Sequence, residues 1–279
     1  MFLVRFGEKG RERPGILRGS AVVDLTEHLP GVPDIGPEFF EGGWLEKAVA
    51  VKAPGRELDV RLGSPVIRPE KIICLGKNYA DHAKEGGMSL PGEPLLFCKT
   101  PNVLNGPQDD VALPLTSGQV DWEVELAVIV GKRGKRIPRE RAMEHVAGFC
   151  VMNDVSGREA QFGDKQWFRG KSFDGFAPLG PALATPDEVL DVNNLVLKTR
   201  VNGVLMQHGT TADLIFDIPA IIEYVSADIS LAPGDIISTG TPAGVGIFRD
   251  PPVTLAEGDV VECWISGLGT LRNRMVKSD

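Results

Sequence analysis

Apolar and polar residues alternate from Val120 to Leu126: Val120, Trp122, Val124 and Leu126 interleave with Asp121, Glu123 and Glu125. A period of two is the mark of a strand, with successive side chains on opposite faces. Glu123 and Glu125 therefore project from one face, roughly 6.5 to 7 Å apart along the strand. From Leu126 to Val130 the chain is apolar throughout, which predicts a strand buried on both faces. A second apolar run, Gly148–Met152, ends in Asn153-Asp154. The pattern predicts further strands at Phe2–Phe6, Gly15–Arg18, Ala21–Leu25, Lys71–Leu75, Leu95–Cys98, Ile236–Thr239, Val260–Ile265 and within Leu268–Val276. Asn202-Gly203 between Leu195–Val201 and Val204–Gln207 is a strong hairpin signal.

Helices are fewer. Trp44–Lys52, Asn78 to about Glu85, Pro138 to about His145, Ser156–Phe162 and Ile218 to about Ala227 carry helical patterns. Asn78 and Asp217 stand as candidate N-caps, and Gly86-Gly87 as a stop. Thr185-Pro186-Asp187-Glu188 reads as a capping box. Residues 53–69, with three prolines and two glycines, read as a linker, dividing the chain into a small β-rich domain at 1–65 and a larger one at 66–279. The fold class expected is mostly β with α (α+β).

Two carboxylates at the mouth of a buried strand are costly without a cation. Asp154, 29 residues beyond Glu125, adds a third at the end of another buried strand. With no nitrogen or sulfur ligand among them, Glu123, Glu125 and Asp154 suit a hard cation such as Mg²⁺, Mn²⁺ or Ca²⁺ rather than zinc. Three carboxylates leave positions open for water or a chelating substrate. His82 and Glu85, three residues apart on a short helix, share a face, and a carboxylate beside an imidazole fixes its tautomer and raises its basicity. They form either a water-activating dyad or a solvated pair. Lys99, Arg158 and Lys171 offer positive charge for an acidic substrate. Thr239-Gly240-Thr241-Pro242 is a tight turn whose hydroxyls and N–H groups could bind a carboxylate.

Composition narrows the function. The net charge of −8 over 279 residues argues against a nucleic-acid or anionic membrane partner. No apolar run approaches the length of a membrane span, and the N-terminus lacks a signal-peptide pattern, so a soluble, cytoplasmic protein is expected. Cys74, Cys98, Cys150 and Cys263 lie in or beside strand-like runs without a C-x-x-C and read as buried thiols in a reducing compartment. Gly170-Lys171-Ser172 lacks the earlier glycine of a P-loop, G-x-G-x-x-G fails at both Gly244 and Gly267, and no G-x-S-x-G occurs. Nucleotide binding and serine hydrolysis are unsupported.

Together these segments carry a resemblance. Gly76-Lys77-Asn78-Tyr79-Ala80-Asp81-His82-Ala83-Lys84-Glu85 and Asp121-Trp122-Glu123-Val124-Glu125-Leu126 resemble, in order, motifs of the fumarylacetoacetate hydrolase superfamily. So do Asn153 to Gln161, Lys171-Ser172-Phe173-Asp174, Val201-Asn202-Gly203 with Gln207, and Gly234 to Gly246. They cover about residues 70–276; residues 1–65 resemble the family's small N-terminal domain only loosely. The resemblance implies a mixed β-sandwich roll with small outer helices, a homodimer, and Mg²⁺ or Mn²⁺ on Glu123, Glu125 and Asp154. By motif match, His82, Glu85 and Lys171 are catalytic, and Tyr79, Lys99, Arg158, Gln161, Gln207, Gly240 and Thr241 bind substrate. His208 falls where the family varies and receives no role. The implied reaction is metal-dependent hydrolysis of a C–C bond in a 2,4-diketo acid of the acylpyruvate type. Decarboxylation of an oxaloacetate-type acid and isomerisation of a 2-hydroxy-diene-dioate are the alternatives.

Overall fold

The computed structural model describes residues 1–57, 59–87 and 89–278. In chain order the main elements begin with β1 (Phe2–Phe6), β2 (Arg13–Arg18), β3 (Ala21–Asp24) and β4 (Ile72–Gly76), followed by helix α1 (Ala80–Glu85) and β5 (Leu95–Lys99). Then come β6 (Val124–Val130), β7 (Val146–Asn153), α2 (Arg158–Gly163), α3 (Phe168–Lys171) and β8 (Ala177–Ala184). The chain closes with β9 (Val196–Val201), β10 (Val204–Thr210), α4 (Ile218–Asp228), β11 (Ile236–Ser238), β12 (Val260–Ile265) and β13 (Gly269–Lys277).

Among the described residues two sheets dominate. The larger runs β3-β2-β1-β8-β7-β6-β11-β4-β5 with shorter strands added, and the smaller runs β10-β9-β12-β13 and on to Val111–Leu113. Strand β6 lies at the centre and is buried along its whole length. Val124, Leu126 and Val128 face one apolar cluster, with Leu197, Val261, Leu271 and helix α4. Ala127 and Ile129 face another, with Leu3, Ile72 and Met152. The two-sided burial read from the sequence is therefore present, and Glu123 and Glu125 belong to the face that Ala127 and Ile129 continue.

Most predicted elements are found, and the exceptions have physical causes. Strand β8 was not foreseen, because Pro178, Gly180 and Pro181 disguise it; it pairs with β7 on one side and with β1 on the other. That pairing places β1 in the same sheet as β6. Within 53–69, Arg56–Glu57 and Leu62–Gly63 form short strands. Arg139–His145 is 3₁₀ rather than α. Thr185 precedes a single 3₁₀ turn and makes no cap bond; its hydroxyl accepts from the Met1 ammonium at 2.6 Å. Asn78 does not cap α1, for which Tyr79 is the N-cap. Its amide donates to Phe216 O and Thr239 O and its carbonyl accepts from Phe216 N, so it ties the helix entrance to the β11 turn. Asp217 does cap α4, accepting from Ala220 N at 2.9 Å. The expected burial of all four thiols fails at Cys98, which is exposed on the edge strand β5.

Candidate active site

The antiparallel register of β6 and β7 builds the centre of the site. Glu125 lies opposite Met152 and Val124 opposite Asn153, so Glu123 meets Asp154 just beyond the ladder, where Asp154 N donates to Glu123 O at 2.8 Å. Carboxylate oxygens of Glu123, Glu125 and Asp154 come within 4.8 Å of one another, and all three residues are buried.

Three buried cations surround them. Lys171 Nζ donates to Glu123 Oε2 at 2.6 Å and to Asp154 Oδ2 at 2.7 Å. Lys99 Nζ donates to Asp154 Oδ1 at 2.5 Å and to Val155 O at 3.2 Å. The Arg158 guanidinium contacts Glu123 at 2.7 Å and Asp121 at 2.9 Å. Burial alone would raise Glu123, but Lys171 and Arg158 outweigh it and hold the carboxyl at about 2. Among the described residues no cation pairs with Glu125: Ser238 Oγ and Gly240 N donate to its Oε2. Burial, then Asp154 and Glu123, push Glu125 up to about 8. Burial also works against the Lys171 charge, yet Asp154 and Glu123 prevail and raise it. Lys99 is lowered, since burial outweighs its one carboxylate partner.

A small cavity of about 50 Å³ opens onto Glu123, Glu125, Arg158, Gln161, Lys171 and Thr241, and His82 lines it as well. His82 Nδ1 is 3.6 Å from Glu85 Oε2, and its ring lies 5.9 Å from that of Phe248. Glu85 in turn accepts from Gly244 N at 2.9 Å, so α1 is docked on the turn after β11. Gly244 suits that turn because its φ is +106° and a Cβ there would lie 2.2 Å from Met206 O.

Four residues expected at the substrate sit behind the cavity wall. Lys99 is spent on Asp154. The Gln207 amide is fully used: Oε1 accepts from Val124 N and Thr199 Oγ1, and Nε2 donates to Thr241 Oγ1 and Pro242 O. Gly240 supports Glu125 through its N–H. Tyr79 is 2% exposed, and its hydroxyl lacks a partner among the described residues. Sequence reasoning gave no role to Asp121 or Ser238. Asp121 shares the Glu123–Glu125 alternation; it accepts from Gly246 N and Ile247 N as well as facing Arg158. Ser238 had no local signal, because only the pairing of β6 with β11 brings it to Glu125.

Residues 71–276 match the family model described as fumarylacetoacetate (FAA) hydrolase C-terminal. The chain belongs to the fumarylacetoacetate hydrolase family. It is 48% identical over 266 residues to a Bos taurus protein named oxaloacetate tautomerase FAHD2B, mitochondrial, covering 92% of this chain and 85% of the bovine one. Among solved structures, a fumarylacetoacetate hydrolase from psychrophilic Exiguobacterium antarcticum superposes with a TM-score of 0.90 at 40% identity, covering 100% of both chains. A maleylpyruvate hydrolase from Sphingobium sp. SYK-6 gives a TM-score of 0.81 at 34% identity, again covering 100% of both. The mostly β architecture with mixed sheets agrees with these family structures. The expected recognition and fold class therefore hold, and the chain is an enzyme of this family.

Proposed function

We propose that the protein catalyses keto–enol interconversion of a small 2-oxo dicarboxylic acid of the oxaloacetate type, with Mg²⁺ or Mn²⁺ on Glu123, Glu125 and Asp154. The donor set fits such an ion: three carboxylates converge, all ligands are oxygen, and Glu125 lacks a cationic partner among the described residues. When bound, the ion would supply a Lewis acid for the C1 carboxylate and C2 oxygen. Four acids (Asp121, Glu123, Glu125, Asp154) face three cations (Lys99, Arg158, Lys171). With Glu125 ionised and a divalent ion added, the set carries about one net positive charge, so its complement is an anion.

The chain's own residues then divide the work. Lys171 and Arg158 hold charge at the C2 oxygen and the carboxylate. His82 carries the proton to or from C3, and Glu85, 3.6 Å from Nδ1, is placed to fix its tautomer once that gap closes to hydrogen-bonding distance. Interconversion moves one proton between the C2 oxygen and C3 and cleaves no C–C bond. The observation that carries this reading is the small cavity of about 50 Å³, which His82 lines together with Glu123, Glu125, Arg158 and Lys171. The bovine relative's name points the same way.

A second reading, C–C hydrolysis of an acylpyruvate, is favoured by the same His82–Glu85 pair, which would serve equally to activate water. The deciding experiment offers enol-oxaloacetate and an acylpyruvate to the Mg²⁺- and Mn²⁺-loaded protein. Loss of enol is followed by ultraviolet absorption, and keto product, pyruvate and CO₂ by NMR. Enol loss faster than with metal alone, abolished in His82→Ala, is expected. Pyruvate from the acylpyruvate with no effect on the enol would replace the first reading with the second, and neither activity would remove both.

A further inference from the structure

Beside the cavity lies a larger outer cleft of about 480 Å³, lined by Leu95, Leu96, Cys98, Lys165, Gln166 and Phe168. Two residues, Phe97 and Trp167, line both spaces. Their rings meet edge to face, 5.2 Å apart at 71°. Trp167 is held from three directions. It is the N-cap of α3, and its carbonyl accepts from Lys171 N at 3.0 Å. Its ring lies on Gly76 at the end of β4, where a Cβ would come within 2.6 Å of Cζ3 and 2.9 Å of Cη2. Lys171 Nζ in turn sits 5.1 Å from the centroid of the Phe97 ring. The indole thus lies against the paired ends of β4 and β5, on Gly76 and Phe97, one helical turn from the lysine that bridges Glu123 and Asp154.

We propose that Trp167 is the partition that sets the substrate length limit of this enzyme. The inference rests on the 2-oxo acid reading of the site and deepens it. With the indole in place, the cavity takes a 2-oxo acid of about four carbons. Without it, the cavity and the outer cleft become continuous, and the apolar side chains of Leu95, Leu96 and Phe168 receive an alkyl or aryl tail carried beyond C4. Gly76 is part of the device, because a larger residue there would drive the ring out of its place.

The test uses N-alkyl oxamates of increasing chain length, unreactive analogues of 2-oxo acids, titrated calorimetrically into the Mg²⁺-loaded protein. In the wild type, affinity is expected to fall once the tail exceeds a short alkyl group. In Trp167→Ala, longer tails should instead gain up to roughly fourfold in affinity per methylene buried. Trp167→Leu, which keeps an apolar residue at the site, should give an intermediate profile and serves if the alanine variant does not fold. Cys98→Trp in the Trp167→Ala background fills the outer cleft away from the cavity and should abolish the gain. A folded Trp167→Ala or Trp167→Leu protein with the wild-type length profile would overturn the partition alone. Failure of unsubstituted oxamate to bind the wild type would overturn the 2-oxo acid reading, and the partition with it.

Discussion

At Glu125 the charge balance of the site is decided. The other three acids each face Lys99, Lys171 or Arg158, whereas among the described residues Glu125 receives only Ser238 and Gly240. With its carboxyl pushed up to about 8, it carries a proton at neutral pH before metal binds. A ligand carboxylate must lose that proton, so the proton competes with the metal. Apparent metal affinity should therefore rise by up to about tenfold per pH unit approaching 8 and flatten above it. Calorimetry in buffers of different ionisation enthalpy should show proton release at pH 7, and Glu125→Ala should lose most of the affinity. A pH-independent affinity would contradict the assignment of Glu125. Lys99 poses the opposite problem, a buried cation whose removal leaves Asp154 Oδ1 without its donor and Lys171 as the remaining cationic partner. Lys99→Met should cost about 3–5 kcal/mol in chemical denaturation with EDTA present, as when one partner of a buried pair is lost. An unchanged midpoint would show that Lys171 by itself suffices to hold Asp154.

Helix α1, only six residues long, is too short to hold by itself in water. Its order comes from docking: Ala83 and His82 are buried, Asn78 is bound to Phe216 and Thr239, and Glu85 to Gly244 N. We propose that the segment 78–92 is a lid; Met88 lies outside the described residues. In the docked position His82 already lines the cavity; opening would withdraw it and admit bulk water. Hydrogen exchange over 78–87 should slow when oxamate and Mg²⁺ are added together. His82→Ala should lower the proton-transfer rate by about 10²–10⁴ while metal affinity stays at the wild-type value. Exchange equally slow without ligand, or full activity in the variant, would reject the lid. The alternation around Glu123 was legible because period two is a local property, but the single strand it predicts is broken at Trp122-Glu123, since Val120–Asp121 pairs with Ser156–Gly157 and β6 starts at Val124. The role of Asn78 was not, since its partners stand 138 and 161 residues away.

For the molecule as a whole, the two sheets enclose a core to which β6 contributes one face, while the other face carries the carboxylates at its open end. Arg5–Asp34 and Arg61–Glu12 hold the first 65 residues together, and Arg61–Asp109 ties them to the rest, all through partly buried ion pairs. Among the described residues no helix is long and apolar enough to cross a membrane. The bovine relative is mitochondrial by name, so the compartment of this chain is a question for cell fractionation. We propose a homodimer, the assembly implied by the family resemblance. Light scattering at micromolar concentration should give twice the 30.1 kDa of one chain, and a monomer mass would refute it.

Local pattern was enough to identify the two acid-bearing strands, the hairpin at Asn202-Gly203, the α4 cap and the candidate metal-binding carboxylates. Each depends on residues close in sequence, where side-chain period, turn chemistry and charge type act directly. Four outcomes needed the folded chain. Register across β6, β7 and β11 brought Asp154 and Ser238 to Glu123 and Glu125. Burial then sorted the carboxyls, holding Glu123 down with Lys171 and Arg158 and leaving Glu125 raised. Packing turned Lys99 and Gln207 away from the cavity to serve as supports. The fit of the Trp167 ring on Gly76, which separates the cavity from the outer cleft, joins residues 91 positions apart. Sequence determines what each residue can do chemically, but which of those capacities is used depends on distances and desolvation that exist only after distant strands have paired.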